Sequence, residues 1–125
     1  MLVYSFKHNK ETNAVETGLE NIENELEAIQ KFVGGHLESL FISDNLTAIM
    51  NEEGKLLDLY PVAGLVIEEV NEDYQDVIFG DMFICRVKDS DFTDIIPDED
   101  IPIIKSRLRP VLVKIDNTIF FDDYH

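Results

Sequence analysis

The chain predicts an α+β fold in a single domain, with a mostly antiparallel sheet packed with one main helix and a second, shorter helix, and a β-hairpin at the C-terminal end. Three observations carry this expectation: apolar residues at period two in several short runs, one clear run at period 3.6, and turn residues between them. The order strand, helix, strands, helix, hairpin suggests α+β with a mostly antiparallel sheet, one face of which the helix at 24–33 would cover. No repeat, low-complexity tract or linker interrupts the 125 residues, so residues 1–125 are expected to form one domain.

Leu2 to Phe6 alternates, with Tyr4 on the side of Leu2 and Phe6, and predicts the first strand. His8 to Asn13 is a polar turn, after which Ala14 to Thr17 is expected to return as the second strand. Leu26, Ile29 and Val33 then form a helical stripe. Asn24 is the expected N-cap, Glu25 and Glu27 suit the positive end of the helix dipole, and Gly34-Gly35 supplies the left-handed residue that ends the helix. Strands are predicted over 36–42 and 46–50, joined by the turn at 43–45.

Asn51-Glu52-Glu53-Gly54 reads as a hairpin turn between strands at 46–50 and 55–59, with Gly54 at positive φ. Residues 60–76 have no clear period. Residues 77–87 return as an apolar strand broken by Gly80. A second helix is expected over 97–108, with Asp100 as N-cap and Pro102 just inside it. Strands at 111–115 and 118–121 flank Asp116-Asn117, a two-residue turn that predicts the terminal hairpin.

The 26 Asp and Glu against 10 Lys and Arg give a formal charge of −16 and a pI near 4.3, which opposes direct binding of a phosphate backbone and favours a protein partner with a basic surface. The single cysteine, Cys85, excludes an internal disulfide and sits in an apolar strand where a thiol is buried and inert. No signal segment or bilayer-length apolar run is read, so the expected compartment is the cytoplasm, with no membrane association.

Catalytic and metal chemistry find no support in the spacing. His8, His36 and His125 fall in separate elements without an i, i+4 pair. A calcium loop begun at Asp89 would place Asp94 where glycine is wanted, and Asp100 where a bidentate glutamate belongs. Gly34-Gly35 follows a helix, whereas a phosphate cradle precedes one. No cofactor, metal or catalytic residue is therefore assigned. The acids Glu68, Glu69, Glu72, Asp73, Asp76, Asp89, Asp91 and Asp94 are the candidate partner-binding surface. Acids spaced along one face would also imitate duplex DNA, which carries about one charge per 1.7 Å. The alternative is a small-molecule site or an enzyme site between protomers, using Tyr60, His36 or acids of 60–76. In a third reading Ile119, Phe120 and Phe121 cover a partner in an oligomer.

The landmarks LEAIQKFVGGHLE at 26–38, NEEGKLL at 51–57, and FGDMFICRV with DFTDI over 79–95 resemble a family of small uncharacterised proteins of bacteriophages and integrative mobile elements. Its members run from Q-x-x-V-G-G-x-[IL]-E through N-E-E-G-K-L to G-x-x-F-I-x and a D-F turn. The resemblance spans about residues 15–96 and leaves 97–125 as a C-terminal extension. The family has no agreed activity to carry over; it implies a genetic context, with a bacterial host's cytoplasm as the compartment, in which small binding proteins are common. With the missing catalytic set and the acidic charge, that context favours a non-enzymatic accessory protein acting by protein binding, in its sharper form an acidic inhibitor of a host defence or DNA-processing protein.

Overall fold

The computed structural model describes residues 1–66 and 76–122. Ten strands, β1 (Leu2–Asn9), β2 (Ala14–Asn21), β3 (Leu37–Phe41), β4 (Leu46–Asn51), β5 (Pro61–Leu65), β6 (Asp76–Phe79), β7 (Met82–Lys88), β8 (Asp91–Thr93), β9 (Leu108–Ile115) and β10 (Thr118–Phe121), accompany two helices, α1 (Leu26–Val33) and α2 (Pro97–Arg107). Every strand pair is antiparallel. The fold is α+β as the sequence predicts, but the strands divide into two sheets. A six-stranded sheet has the order β2-β1-β7-β4-β3 with β8 on β7, and a four-stranded sheet runs β10-β9-β5-β6.

Alternation along the central strands explains the two cores. Val3, Ile49, Phe83 and Cys85 face one side, where Ile29 and Val33 of α1 cover them. Tyr4, Phe6, Leu46, Ala48, Met50, Met82 and Ile84 face the other, against Val62 and Ala63 of β5, Ile78 of β6, Ile104 of α2 and Leu108 of β9. The six-stranded sheet thus lies between α1 and the second sheet, which accounts for its run of six consecutive buried residues in β4.

Several expectations are corrected by this division. Residues 55–59 form no strand, because β4 already has β3 on one edge and β7 on the other. The chain instead winds through turns to the second sheet, with positive φ at Asp58 (53°) and not at Gly54. Within the unpatterned stretch 60–76, residues 61–65 form the buried strand β5; Pro61 and Gly64 hid it, although proline is tolerated at a strand's first residue. The expected strand over 77–87 is two strands in different sheets, since Gly80 at φ 95° turns the chain between them.

The helix caps also differ. Glu25, not Asn24, occupies the N-cap of α1, while the Asn24 amide donates to the Phe92 carbonyl at 2.9 Å. Gly34 ends the helix in the left-handed conformation as predicted, at φ 81°. Ile96 caps α2 and Pro97 holds its first turn, which puts Pro102 inside the helix and frees Asp100 for another task. With 11 residues, α2 is longer than α1 with 8, the reverse of the expected order. The terminal hairpin forms around Asp116 (φ 54°) and Asn117, as the turn chemistry predicts.

Candidate functional site: acidic grooves beside the first helix

The sequence landmarks meet in space, and what they build is a corner. Asn51, nearly buried, donates its amide to the Val33 carbonyl at 3.1 Å and accepts the Glu53 backbone N–H at 2.8 Å. The Glu52 N–H reaches the His36 carbonyl at 3.0 Å. Gly54 lies so close to the Phe79 carbonyl that a side chain there would overlap it. The helix end, the acidic turn and the Phe79-Gly80 break are therefore one latch joining both sheets, and their glycine and asparagine residues have structural reasons to be there.

Function is better sought where polar groups face solvent. Two open grooves flank the first turn of α1. One, of about 690 Å³, is lined by Ile22, Glu23, Glu25, Glu27, Ala28, Lys31 and Phe32. The other, of about 710 Å³, lies between Leu26 and Ile29 of the helix and the β7–β8 turn with Lys88, Asp89, Asp91 and Phe92. The Asn24–Phe92 bond ties the helix start to that turn; Glu23, Glu25 and Glu27 border the first groove with Lys31, and Asp89 and Asp91 border the second with Lys88. Leu26, 63% accessible, lines the second groove with Ile29 and Phe92, while Ile22 and Phe32 supply the apolar wall of the first. An acidic rim with an apolar floor is suited to a cationic, partly apolar segment.

The predicted acidic surface does not converge as a whole. Asp89 and Asp91 join this rim. Asp94 lies in the following segment, where its carboxylate accepts the Leu2 backbone N–H at 2.7 Å and so holds β1. Asp76 lines a different groove with Glu38 and Glu52. Glu68, Glu69, Glu72 and Asp73 lie outside the described residues, as do Asp123 and His125. Glu25 and Glu27 read in the sequence as helix-dipole acids, and nothing in sequence spacing links them or Glu23 to residues 89–91.

Of the candidates for a small-molecule site, Tyr60 and His36 do not meet. Tyr60 stacks instead on His8, with ring centroids 3.8 Å apart and planes 5° from parallel. This pair lines a cleft of about 240 Å³ with Lys10, Phe32, Gly34 and Asp81. Asp81 accepts the His8 backbone N–H at 2.9 Å, and the His8 ring contacts the Asn13 side chain at 2.8 Å. The cleft is smaller than the roughly 300 Å³ at which drug-sized sites begin. His36 is exposed in the corner. Among the described residues no group of three or more His, Cys, Asp or Glu side chains is placed to hold a metal ion.

Residues 7–109 match the family model described as "Domain of unknown function (DUF3846)". The chain belongs to the DUF3846 family. The match includes all three landmarks, both acidic grooves and the whole of the corner, and it leaves most of the β9–β10 hairpin outside. No curated protein and no solved structure matches the chain. No helix among the described residues is long and apolar enough to cross a membrane.

Cys85 is fully buried on the α1 side of β7, and burial pushes its thiol from 9.0 up to about 12. Burial therefore suppresses the thiolate of the folded protein relative to the unfolded chain. A disulfide reagent added to the native protein is expected to react only on the timescale of unfolding. Prompt reaction under native conditions would contradict the buried placement.

Proposed function

We propose that this DUF3846 protein is a non-enzymatic accessory protein of a phage or mobile element, acting in the host cytoplasm by binding a protein with a basic surface. The observation that supports this reading is the pair of grooves beside α1, one bordered by Glu23, Glu25 and Glu27 and the other by Asp89, Asp91 and exposed Leu26. Carboxylates speed the encounter with a cationic partner, and the apolar floor supplies contact once water leaves. Inhibition of a host defence or DNA-processing protein is the specific form we propose, with the acidic rim occupying a site that otherwise receives nucleic acid. The competing reading, a small-molecule site, is favoured only by the His8–Tyr60 cleft.

The test is capture of partners from element-bearing host cells by the tagged protein at low and high salt. Reversing Glu23, Glu25, Asp89 and Asp91 to lysine should weaken capture at least about tenfold at low salt and flatten the salt dependence. Capture that ignores these reversals would sink the groove assignment. Copurification of a small molecule, lost on Tyr60→Ala, would transfer the function to the cleft.

A further inference from the structure

Four strands border the two sheets at their ends: β2 and β3 in one, β6 and β10 in the other. An edge strand carries backbone N–H and C=O groups that no neighbour satisfies, and these are a template for an added strand. Of the four, β3 alone lines one of the grooves described above on each face of its sheet. Leu37 lines the groove of about 710 Å³ on the α1 side, and Glu38 and Leu40 line a cleft of about 210 Å³ on the side of the second sheet. β6 borders only that cleft, and Gly54 of the corner lies against its Phe79 carbonyl.

The register of β3 on β4 shows which backbone groups are open. The Ile42 N–H donates to the Leu46 carbonyl at 2.9 Å and the His36 carbonyl accepts from the Glu52 N–H at 3.0 Å, so Glu38 and Leu40 between them turn their backbone groups inward to β4. Leu37, Ser39 and Phe41, opposite Asn51, Ile49 and Thr47, are the non-hydrogen-bonded pairs, and their N–H and C=O groups point to the outer edge. Among the described residues no strand takes them up. Phe41 is 75% accessible, a large apolar side chain on an open edge.

We propose that β3 takes up an extended segment of the basic protein partner as an added strand, with basic and apolar residues alternating along that segment. This rests on the protein-binding reading above and adds the conformation and residue pattern of what is bound. A strand added at this edge continues the pleat, so its side chains fall alternately on opposite faces. On the α1 side they meet Leu37 and Phe41, which suit apolar side chains. On the other side they meet the cleft, where Glu38, Glu52 and Asp76 stand against one base, Lys55, and favour lysine or arginine. The same acids turn away a second copy of this chain, whose own edge strands carry Glu16, Glu20, Glu38 and Asp76 or, in β10, no charge.

The first probe is a short synthetic peptide that alternates lysine and valine, set against one of the same composition with its lysines and valines in separate blocks. On binding the alternating peptide, amide exchange read residue by residue should slow about tenfold or more at Leu37, Ser39 and Phe41, while the inward amides of Glu38 and Leu40 change little. Affinity should fall about tenfold or more for the block peptide, for Glu38→Lys with Asp76→Lys, and for Ser39→Pro, which removes only an outward N–H. If Ser39→Pro fails to fold, the charge reversals and the exchange pattern decide. Equal binding of the two peptides, or binding without protection of the three outward amides, overturns the proposal. The same variants should weaken capture of the partner from host cells. Capture lost on reversing the acids beside α1 but untouched by Ser39→Pro and Glu38→Lys would overturn the strand pairing and leave the groove reading standing, whereas no capture by the wild type would overturn both.

Discussion

Replacing Arg86 with methionine is expected to lower stability by about 3–5 kcal/mol, the cost of leaving a buried charge without its partner. Arg86 follows Ile84 on the side of β7 that faces α2, and its guanidinium grips Asp100 through Nε–Oδ2 and Nη2–Oδ1 contacts of 2.7 Å each. Asp100 is 1% accessible and also accepts the Ile96 N–H at 2.7 Å, so the same carboxylate holds the start of α2. Glu99, largely exposed, adds little to the pair. The hydrogen bond to Asp100 raises the Arg86 pKa further above its ordinary value. A raised basic group loses its contribution only as pH climbs through that pKa, so the pair persists across the neutral range.

Arg86→Met with Asp100→Leu should recover much of the loss, because the double change leaves no charge buried without its partner. Urea unfolding of the wild type, the single and the double variant measures the effect. A single variant within about 1 kcal/mol of wild type would show that the pair is not a buried tie.

Gly54→Ala is expected to cost about 3 kcal/mol or more, because the added Cβ would lie 2.1 Å from the Phe79 carbonyl oxygen and 3.0 Å from its carbon. Those are backbone atoms of β6, held by pairing to Pro61, so no side-chain rotation relieves the overlap. The prediction separates close approach from the positive-φ reading of the same residue. A residue needed for φ would tolerate asparagine, whereas here Gly54→Asn should fail as badly as alanine. Gly18→Ala, with nothing within 4 Å of the new atom, is the control and should be neutral or slightly stabilising.

Local signals in the sequence were legible and long-range ones were not. The stripe of Ile29 and Val33, the left-handed Gly34 and the Asp116-Asn117 turn depend on neighbouring residues, and each appears as expected. The hairpin assigned to Asn51–Gly54 failed because it depends on which edges of β4 are free, and β3 and β7 take both. Asp100 has the look of an N-cap in sequence; only the fold brings Arg86 from 14 residues away to claim it. The candidate site was half legible for the same reason. Asp89 and Asp91 stood out as an acidic turn, but the placing of their groove beside the helix start, next to the one bordered by Glu23, Glu25 and Glu27, involves the Asn24–Phe92 contact across 68 residues.

The claim that the acidic grooves receive a protein is tested most directly by hydrogen–deuterium exchange on the captured complex. The account predicts slowed exchange over 22–32 and 88–93, lost when Glu23, Glu25, Asp89 and Asp91 are reversed to lysine. Protection confined to the segments around His8, Tyr60 and Asp81, with the grooves exchanging as in the free protein, would contradict it.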